Sequence, residues 1–387
     1  MKIQSATIYQ VAGEGLKPVL VTLRDADGTE GVGEAAIAYG SGGSGAAGMI
    51  KDLLTRFVIG KDVPGINALT GEMYDQSFWL KNPGGIAGAA LSAIEMALWD
   101  IRGKTLGVPV YDLFGGRMRD DLPCYANGWY FGATSDAEIV RMAEATVADG
   151  FQWLKMYPFA RVQPNGTLRH PVNRDASDPQ SWRRAADLVR AVHGVLGPTG
   201  RLCLDFGGGI ALADTIYFLD AISDLDIEFI EEVGDPGDLG ALERIASQTR
   251  IPVATGERQY LRMGFRDLLE RRCVDILQPD IGNTGGFAEA YKIAAMADAY
   301  SLKVQPHVCG STVAVRIAAH LSACIPNFYV QEHFPYWDRV PGYVEVARNP
   351  LLHDPSTGRL PISDAPGFGI ELDQAAIRDH VAFELGG

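Results

Sequence analysis

Six titratable side chains each follow a short apolar run, at a nearly constant interval. Asp205 ends the run at 201–205, Glu231 the run at 226–231 and Glu257 the run at 251–257, with 26 residues between successive members. Asp280, His307 and Glu332 follow at intervals of 23, 27 and 25 residues. Three carboxylates drawn together are hard oxygen donors of the kind Mg²⁺ prefers. Without a cation they would repel one another and raise each other's pKa. The other arrangement open to such acids is a set of salt bridges with Lys or Arg. A divalent ion held there can stabilise the charge that develops when the proton alpha to a substrate carboxylate is removed. His307 is the candidate to move that proton, and Asp280, at the preceding run, can fix its tautomer.

An interval of about 26 residues is enough for one strand, one loop and one helix. Any single acid after an apolar run reads equally well as an N-cap or a solvated loop charge. Six at a common phase converge on the mouth of a β/α barrel, where barrel enzymes do their chemistry. Two earlier units complete eight strands: a strand at 123–128, a helix at 136–149 and a strand at 150–157. Residues 159–179 form a long polar insertion, expected as a loop over the mouth, followed by a helix at 182–196. The first 120 or so residues differ. Residues 19–35 read as strand, turn, strand. The Gly/Ser/Ala stretch 40–48 reads as a flexible loop or as a mobile lid tip. A helix spans 86–106, with Ala90, Ile94, Ala97, Leu98 and Ile101 at helical spacing and Gly107 and Pro109 as its stop. The expected organisation is α/β, with an α+β capping domain over 1–121 and a β/α barrel over 122–348. A segment at 349–387 is expected to pack back on the cap.

Composition narrows the function. The chain has 387 residues, 47 % hydrophobic and 21 % charged, as expected of a soluble globular protein. A net charge of −14 argues against nucleic acid as a partner. No apolar run reaches the length of a membrane span, and the first residues carry no signal-peptide apolar region. The five cysteines are scattered without zinc spacing. A cytoplasmic protein with reduced thiols is expected.

The segment Ala93-Ile-Glu-Met-Ala-Leu-Trp-Asp-Ile-Arg-Gly-Lys104 resembles the capping-domain helix of the enolase superfamily, in its mandelate racemase-like subgroup. Phe229-Ile-Glu-Glu232 resembles that family's fourth-strand motif, with Val233 where Pro is usual. Asp280-Ile-Gly-Asn-Thr-Gly-Gly286 and Pro306-His307 resemble its sixth and seventh strands. The resemblance covers nearly the whole chain. It implies a modified TIM-type (β/α)7β barrel under an α+β cap, assembled as a homo-oligomer. By resemblance Asp205, Glu231 and Glu257 map onto the metal ligands, His307 and Asp280 onto a His–Asp dyad, and Glu332 onto a carboxyl that bonds the substrate carboxylate. To donate there, Glu332 would need a raised pKa. A Lys or His base working with Mg²⁺ is the family's own pattern.

Two strand ends depart from it. The subgroup often has Lys-x-Lys on strand two, where this chain has Lys155-Met-Tyr157. Both side chains face the site. Lys155 can be a fixed positive charge near the substrate carboxylate. Tyr157 is open to three roles: acid, hydrogen-bond donor or packing. On strand three, Asp205-Phe-Gly-Gly-Gly209 has no side chain at Gly207, where related sugar-acid dehydratases place His or Asn. One firm base favours single-faced elimination. The expected activity is a Mg²⁺-dependent dehydration of an aldonic or aldaric acid to a 2-keto-3-deoxy acid. A racemase, epimerase or cycloisomerase using Lys155 or Tyr157 opposite His307 is the alternative, and a non-catalytic metal and sugar-acid binder a third. Asn127, Trp129, Tyr130 and Trp337 are the candidate substrate contacts, with the loop at 40–48 and the insertion.

Overall fold

The computed structural model describes residues 1–12, 15–163, 168–169 and 179–386. The insertion expected at 159–179 therefore lies largely outside the described residues. At the N-terminus β1 (Ile3–Gln10), β2 (Val19–Asp25) and β3 (Glu30–Ala35) form an antiparallel meander. The β2–β3 turn is held by Asp25 Oδ1, which accepts from the amides of Asp27 and Thr29 at 3.0 and 2.8 Å, the local bonding that favours Asp in turns. Three helices follow, α1 (Gly43–Leu53), α2 (Ile66–Gln76) and α3 (Gly84–Leu106). α3 lies directly on β3. A Cβ on Gly31 or Gly33 would stand 2.1 or 2.0 Å from the carbonyl oxygens of Ala97 and Ala93. Small residues on both partners are what let helix and sheet approach this closely. α3 is long and apolar enough to cross a membrane by length and composition alone, yet 78 % of its apolar window is buried inside the molecule. The stretch 40–48 is not one loop: α1 begins at Gly43, and only the residues before it are irregular.

After β4 (Asp121–Leu122), strands and helices alternate. The order is β5 (Cys124–Ala126), α4 (Asp136–Ala148), β6 (Trp153–Met156), a small hairpin of β7 (Arg161–Val162) and β8 (Leu168–Arg169), then α5 (Pro179–Leu196). Next come β9 (Arg201–Asp205), α6 (Leu212–Ala221), β10 (Ile227–Glu231), α7 (Leu239–Ala246), β11 (Val253–Thr255) and α8 (Leu261–Arg271). The series ends with β12 (Ile276–Leu277), α9 (Phe287–Ala299), β13 (Lys303–Val304), α10 (Thr312–Cys324) and β14 (Gln331–His333). Among the described residues eight of these strands share one parallel sheet, β13-β12-β11-β10-β9-β6-β5-β14, with seven helices between them. The Val304 amide donates to the Asn327 carbonyl, and the Val304 carbonyl accepts from Tyr329, both at 2.9 Å. These bonds join the two ends of the sheet into a (β/α)7β barrel.

The later strands are shorter than expected. Pro279 and Pro306 lack the N–H a ladder needs, so Asp280 and His307 lie just beyond their strands, and Glu257 follows Gly256, at φ +146°, beyond β11. A parallel bridge between Asp280 and His307 keeps those two in register. Towards the C-terminus β15 (Leu360–Pro361) pairs with β4, and after the short α11 (Gln374–Ile377), β16 (Val381–Gly386) pairs antiparallel with β1.

Candidate active site

Cap and barrel enclose a cavity of about 540 Å³. The cap contributes the residues leading into α1, with Tyr39, Gly40 and Ser41 at the rim. The barrel contributes Asp205, Glu257, Asp280, His307 and Glu332 from the ends of successive units. The common phase of these residues in the sequence therefore becomes a common place in the fold.

Asp205 and Glu231 are register partners on β9 and β10. Glu231 is wholly buried beneath the cavity, and Glu257 borders it two residues beyond β11. Burial pushes Asp205 up to about 6, Glu231 up to about 8 and Glu257 up to about 7. The neighbouring carboxylates add to each rise, and Lys155 or His307 opposes it. Among the described residues no three acid, thiol or imidazole groups stand as a ready cage for an ion. The carboxylates are held by cations instead. Lys155 Nζ lies 2.7 Å from Glu231 Oε1, 2.8 Å from Glu332 Oε1 and 3.6 Å from Asp205 Oδ2. Arg258 Nε is 3.7 Å from Glu257. The charges still do not balance. Among the described residues, Asp205, Glu231, Glu232, Glu257, Asp280 and Glu332 form ion pairs only with Lys155, Arg258 and His307. A buried excess of hard oxygen donors short of positive charge fits a divalent cation.

His307 Nδ1 is 2.7 Å from Asp280 Oδ2, and its Nε2 is 3.3 Å from Glu257 Oε2. Asp280 is itself fixed by the Gly282 amide at 2.8 Å. Burial works against a charged ring, but Glu257 and the bond to Asp280 outweigh it and hold the imidazole well above its ordinary pKa.

Glu332 departs from expectation. Burial would raise it, but Lys155 and His307 prevail and its pKa is lowered. It accepts from Lys155, from Asn127 Nδ2 at 2.8 Å and from the Val308 amide at 2.8 Å. It is therefore an ionised acceptor, where donation to a substrate would have required a raised pKa. Lys155 is wholly buried under the cavity, and Glu231 and Glu332 keep its pKa well above the usual value against the effect of burial. Tyr157 lines the cavity, and burial followed by Asp205 drives its phenol well above its ordinary value. A tyrosine so placed gives up its proton reluctantly, which suits a hydrogen-bond donor better than a base.

Of the strand-three glycines, Gly207 borders the cavity and Gly208 makes room for Arg258. A Cβ on Gly208, whose φ is +70°, would stand 2.4 Å from Arg258 Nη2. Arg258 Nε donates to Glu232 Oε2 at 2.9 Å, and Nη2 reaches the same oxygen. Glu232 has a φ of +50°, rare outside glycine, and this turns its side chain toward Arg258 and Thr255 rather than toward Glu231's partners.

Of the expected substrate contacts, Asn127 and Trp337 border the cavity. Trp129 does not. Its ring is buried and its Nε1 donates to the Lys155 carbonyl at 2.9 Å. Tyr130 is likewise buried, its hydroxyl bonded to the Tyr157 amide at 2.9 Å. Gly128, at φ +64°, turns the chain between Asn127 and Trp129. Phe131 and Phe334 join Trp337 in an aromatic wall, with the Phe334 and Trp337 rings stacked at 3.7 Å. Sequence reasoning missed these two rings, Arg258 and Tyr39. A phenylalanine near a strand end looks the same whether it faces core or cavity, and Arg258 was legible only through the glycine that makes room for it.

Comparison with known proteins gives concordant matches. The model described as "Enolase C-terminal domain-like" matches residues 138–376. The one described as "Mandelate racemase / muconate lactonizing enzyme, N-terminal domain" matches residues 11–115. The D-galactonate dehydratase of Variovorax paradoxus (strain S110) is 31 % identical over 382 residues, covering 97 % of this chain and 94 % of its own. The D-gluconate dehydratase of Thermoproteus tenax is 30 % identical over 331 residues, covering 84 % of this chain and 63 % of its own. A solved structure from Mesorhizobium loti, provisionally described as a dehydratase, is 45 % identical with a TM-score of 0.95, covering 99 % of this chain and all of its own. The 3,6-anhydro-D-galactonate cycloisomerase of Zobellia galactanivorans is 28 % identical with a TM-score of 0.83, covering 99 % of this chain and 100 % of its own.

Proposed function

Because the chain belongs to the enolase superfamily, in its mandelate racemase-like group, we propose that it is a Mg²⁺-dependent dehydratase of an aldonic or aldaric acid. The observation that carries this reading is the His307–Asp280 pair, 2.7 Å apart at the edge of a buried carboxylate cluster in one cavity. Similarity to D-galactonate and D-gluconate dehydratases supports the substrate class.

Asp205, Glu231 and Glu257 would hold the ion. When bound, Mg²⁺ supplies positive charge that stabilises the oxygens of a substrate enediolate. The remaining steps belong to side chains. Asp280 accepts a hydrogen bond from Nδ1–H of His307. With Glu257 engaged by the ion instead of by Nε2, the ring can give up its Nε2 proton, and that lone pair then takes the proton alpha to the substrate carboxylate. The imidazolium formed then returns that proton to the hydroxyl leaving the beta carbon. The C–H and C–O bonds break, water departs, and the enol left behind tautomerises to a 2-keto-3-deoxy acid. Lys155 keeps Glu332 and Glu231 in place and adds positive charge below the substrate carboxylate. Asn127 orients Glu332, and Trp337 with Phe131 and Phe334 offers an apolar wall to the carbon face of a sugar acid. Tyr157 donates a hydrogen bond across from His307.

A second reading has one observation in its favour. Tyr157 borders the cavity that holds His307, so a racemase, epimerase or cycloisomerase would have a second group to work with. Incubating the purified protein with Mg²⁺ and a panel of sugar acids in D₂O separates the two. A semicarbazide-positive keto product from one acid is expected. Alpha-deuterium without keto product would transfer the assignment to epimerisation or cycloisomerisation, and inertness towards every acid would sink both.

A further inference from the structure

Two neighbouring strand ends repeat one pattern, Gln-Pro followed by a titratable residue: Gln278-Pro-Asp280 and Gln305-Pro-His307. Side chains two residues apart share a face of an extended chain, so each glutamine accompanies a titratable group into the barrel. Both amides are buried, at 2 % and 0 % exposure. Gln278 Nε2 donates to Glu231 Oε2 at 2.8 Å and also to Gln305 Oε1. Gln305 Nε2 donates to the Pro306 carbonyl at 2.7 Å. That carbonyl belongs to the peptide bond of His307. A line of hydrogen bonds thus runs from the peptide that carries His307 to the central acid of the cluster. The direction of the line is forced. A carboxylate and an amide oxygen can only accept, so Gln278 must turn its NH₂ toward both of them.

We infer that Gln278 and Gln305 are positioning residues that fix the Glu231 carboxylate for a divalent cation, a reading that depends on Glu231 being a Mg²⁺ ligand. The other oxygen of Glu231 is held by Lys155, 2.7 Å away, whose charge competes with any ion. An amide donor is neutral. It orients the carboxylate without cancelling its charge, and it does not titrate, so the alignment persists across pH. Partners of this kind behind a metal ligand typically change metal affinity by about 10–100-fold.

The test is calorimetric titration of MgCl₂ into the full chain and into Gln278→Met and Gln305→Met, which keep volume but remove the amide. Q278M is expected to raise the Kd for Mg²⁺ by about 10–100-fold, with Q305M moving it in the same direction. In both, kcat should recover as Mg²⁺ is raised to saturation. Thermal unfolding in EDTA reports folding separately. If Q278M fails to fold, Q305M, whose side chain makes no bond to Glu231, carries the test. A lowered Tm with an unchanged Kd would mean packing alone and would overturn the inference while leaving Glu231 as a ligand. Absence of Mg²⁺ binding by the unsubstituted chain would overturn both.

Discussion

Lys155 keeps a charge at 1 % side-chain exposure because carboxylates meet it on three sides. Removing one partner of a buried ion pair leaves an uncompensated charge and typically costs about 3–5 kcal/mol. Lys155→Met should lower unfolding stability by about that much, measured by urea denaturation in EDTA. An unchanged value would show that the cost of burying the ammonium already cancels its pairing. His307 has a different signature. His307→Asn should reduce kcat by about 10²–10⁴-fold and slow alpha-proton exchange together with dehydration. Exchange that survived the substitution would assign proton removal to Tyr157 or Lys155. The candidate catalytic and metal residues could be read from the sequence because each ends an apolar run, and a side chain at a strand end has few places to point. Trp129 could not be read correctly. Its direction is decided by the left-handed turn at Gly128, the residue after Asn127, and a sequence pattern does not reveal which way a glycine bends the chain.

Between elements, the junction of α3 and α9 rests on one buried acid. Glu95 accepts from the Phe287 and Ala288 amides at 2.7 and 2.9 Å and from Trp99 Nε1 at 2.7 Å. The two amides open α9 and have no partner within the helix. Burial pushes Glu95 up to about 7 from 4.5, against the pull of those bonds and of Lys292. A carboxyl raised in the folded state contributes stability that is fully present below about 4.5 and is lost as pH rises through about 7. The stability difference between the parent chain and Glu95→Gln should therefore shift against the parent by about 2–3 kcal/mol from pH 5 to pH 8. Chemical denaturation across that range checks it, and a pH-independent difference would contradict the sign. Elements whose signals are local matched the sequence closely: Arg201–Asp205 and Asp136–Ala148 fall where spacing and caps place them. Expected strands that ran into proline were overextended. β1 and β16 went unread, because β16 shows only the exposed alternation of an edge and its partner lies at the far end of the chain.

Across the whole molecule, one sheet is assembled from both ends of the chain. β16 lies against β1, with Ser5 opposite Gly386 and Ala6 opposite Leu385. Deleting residues 381–387 would expose β1 as an unpaired edge. That deletion should lower Tm and promote aggregation, and a truncated chain with parental Tm would show that the pairing adds nothing. The same sheet, through the loop that follows β3, carries Tyr39, Gly40 and Ser41 to the rim of the cavity. This has a consequence for the order of events during synthesis. At ~5–20 residues per second, β1 leaves the ribosome roughly 20–75 s before its neighbour β16. For that time the nascent cap lacks a strand while the barrel can already begin to close. Distant pairings of this kind are slow to find. The sheet that carries the cavity's rim would thus gain its last strand after the rest, so a chain stalled or clipped near its end would carry every acid of the cluster beneath a cap still short of one strand.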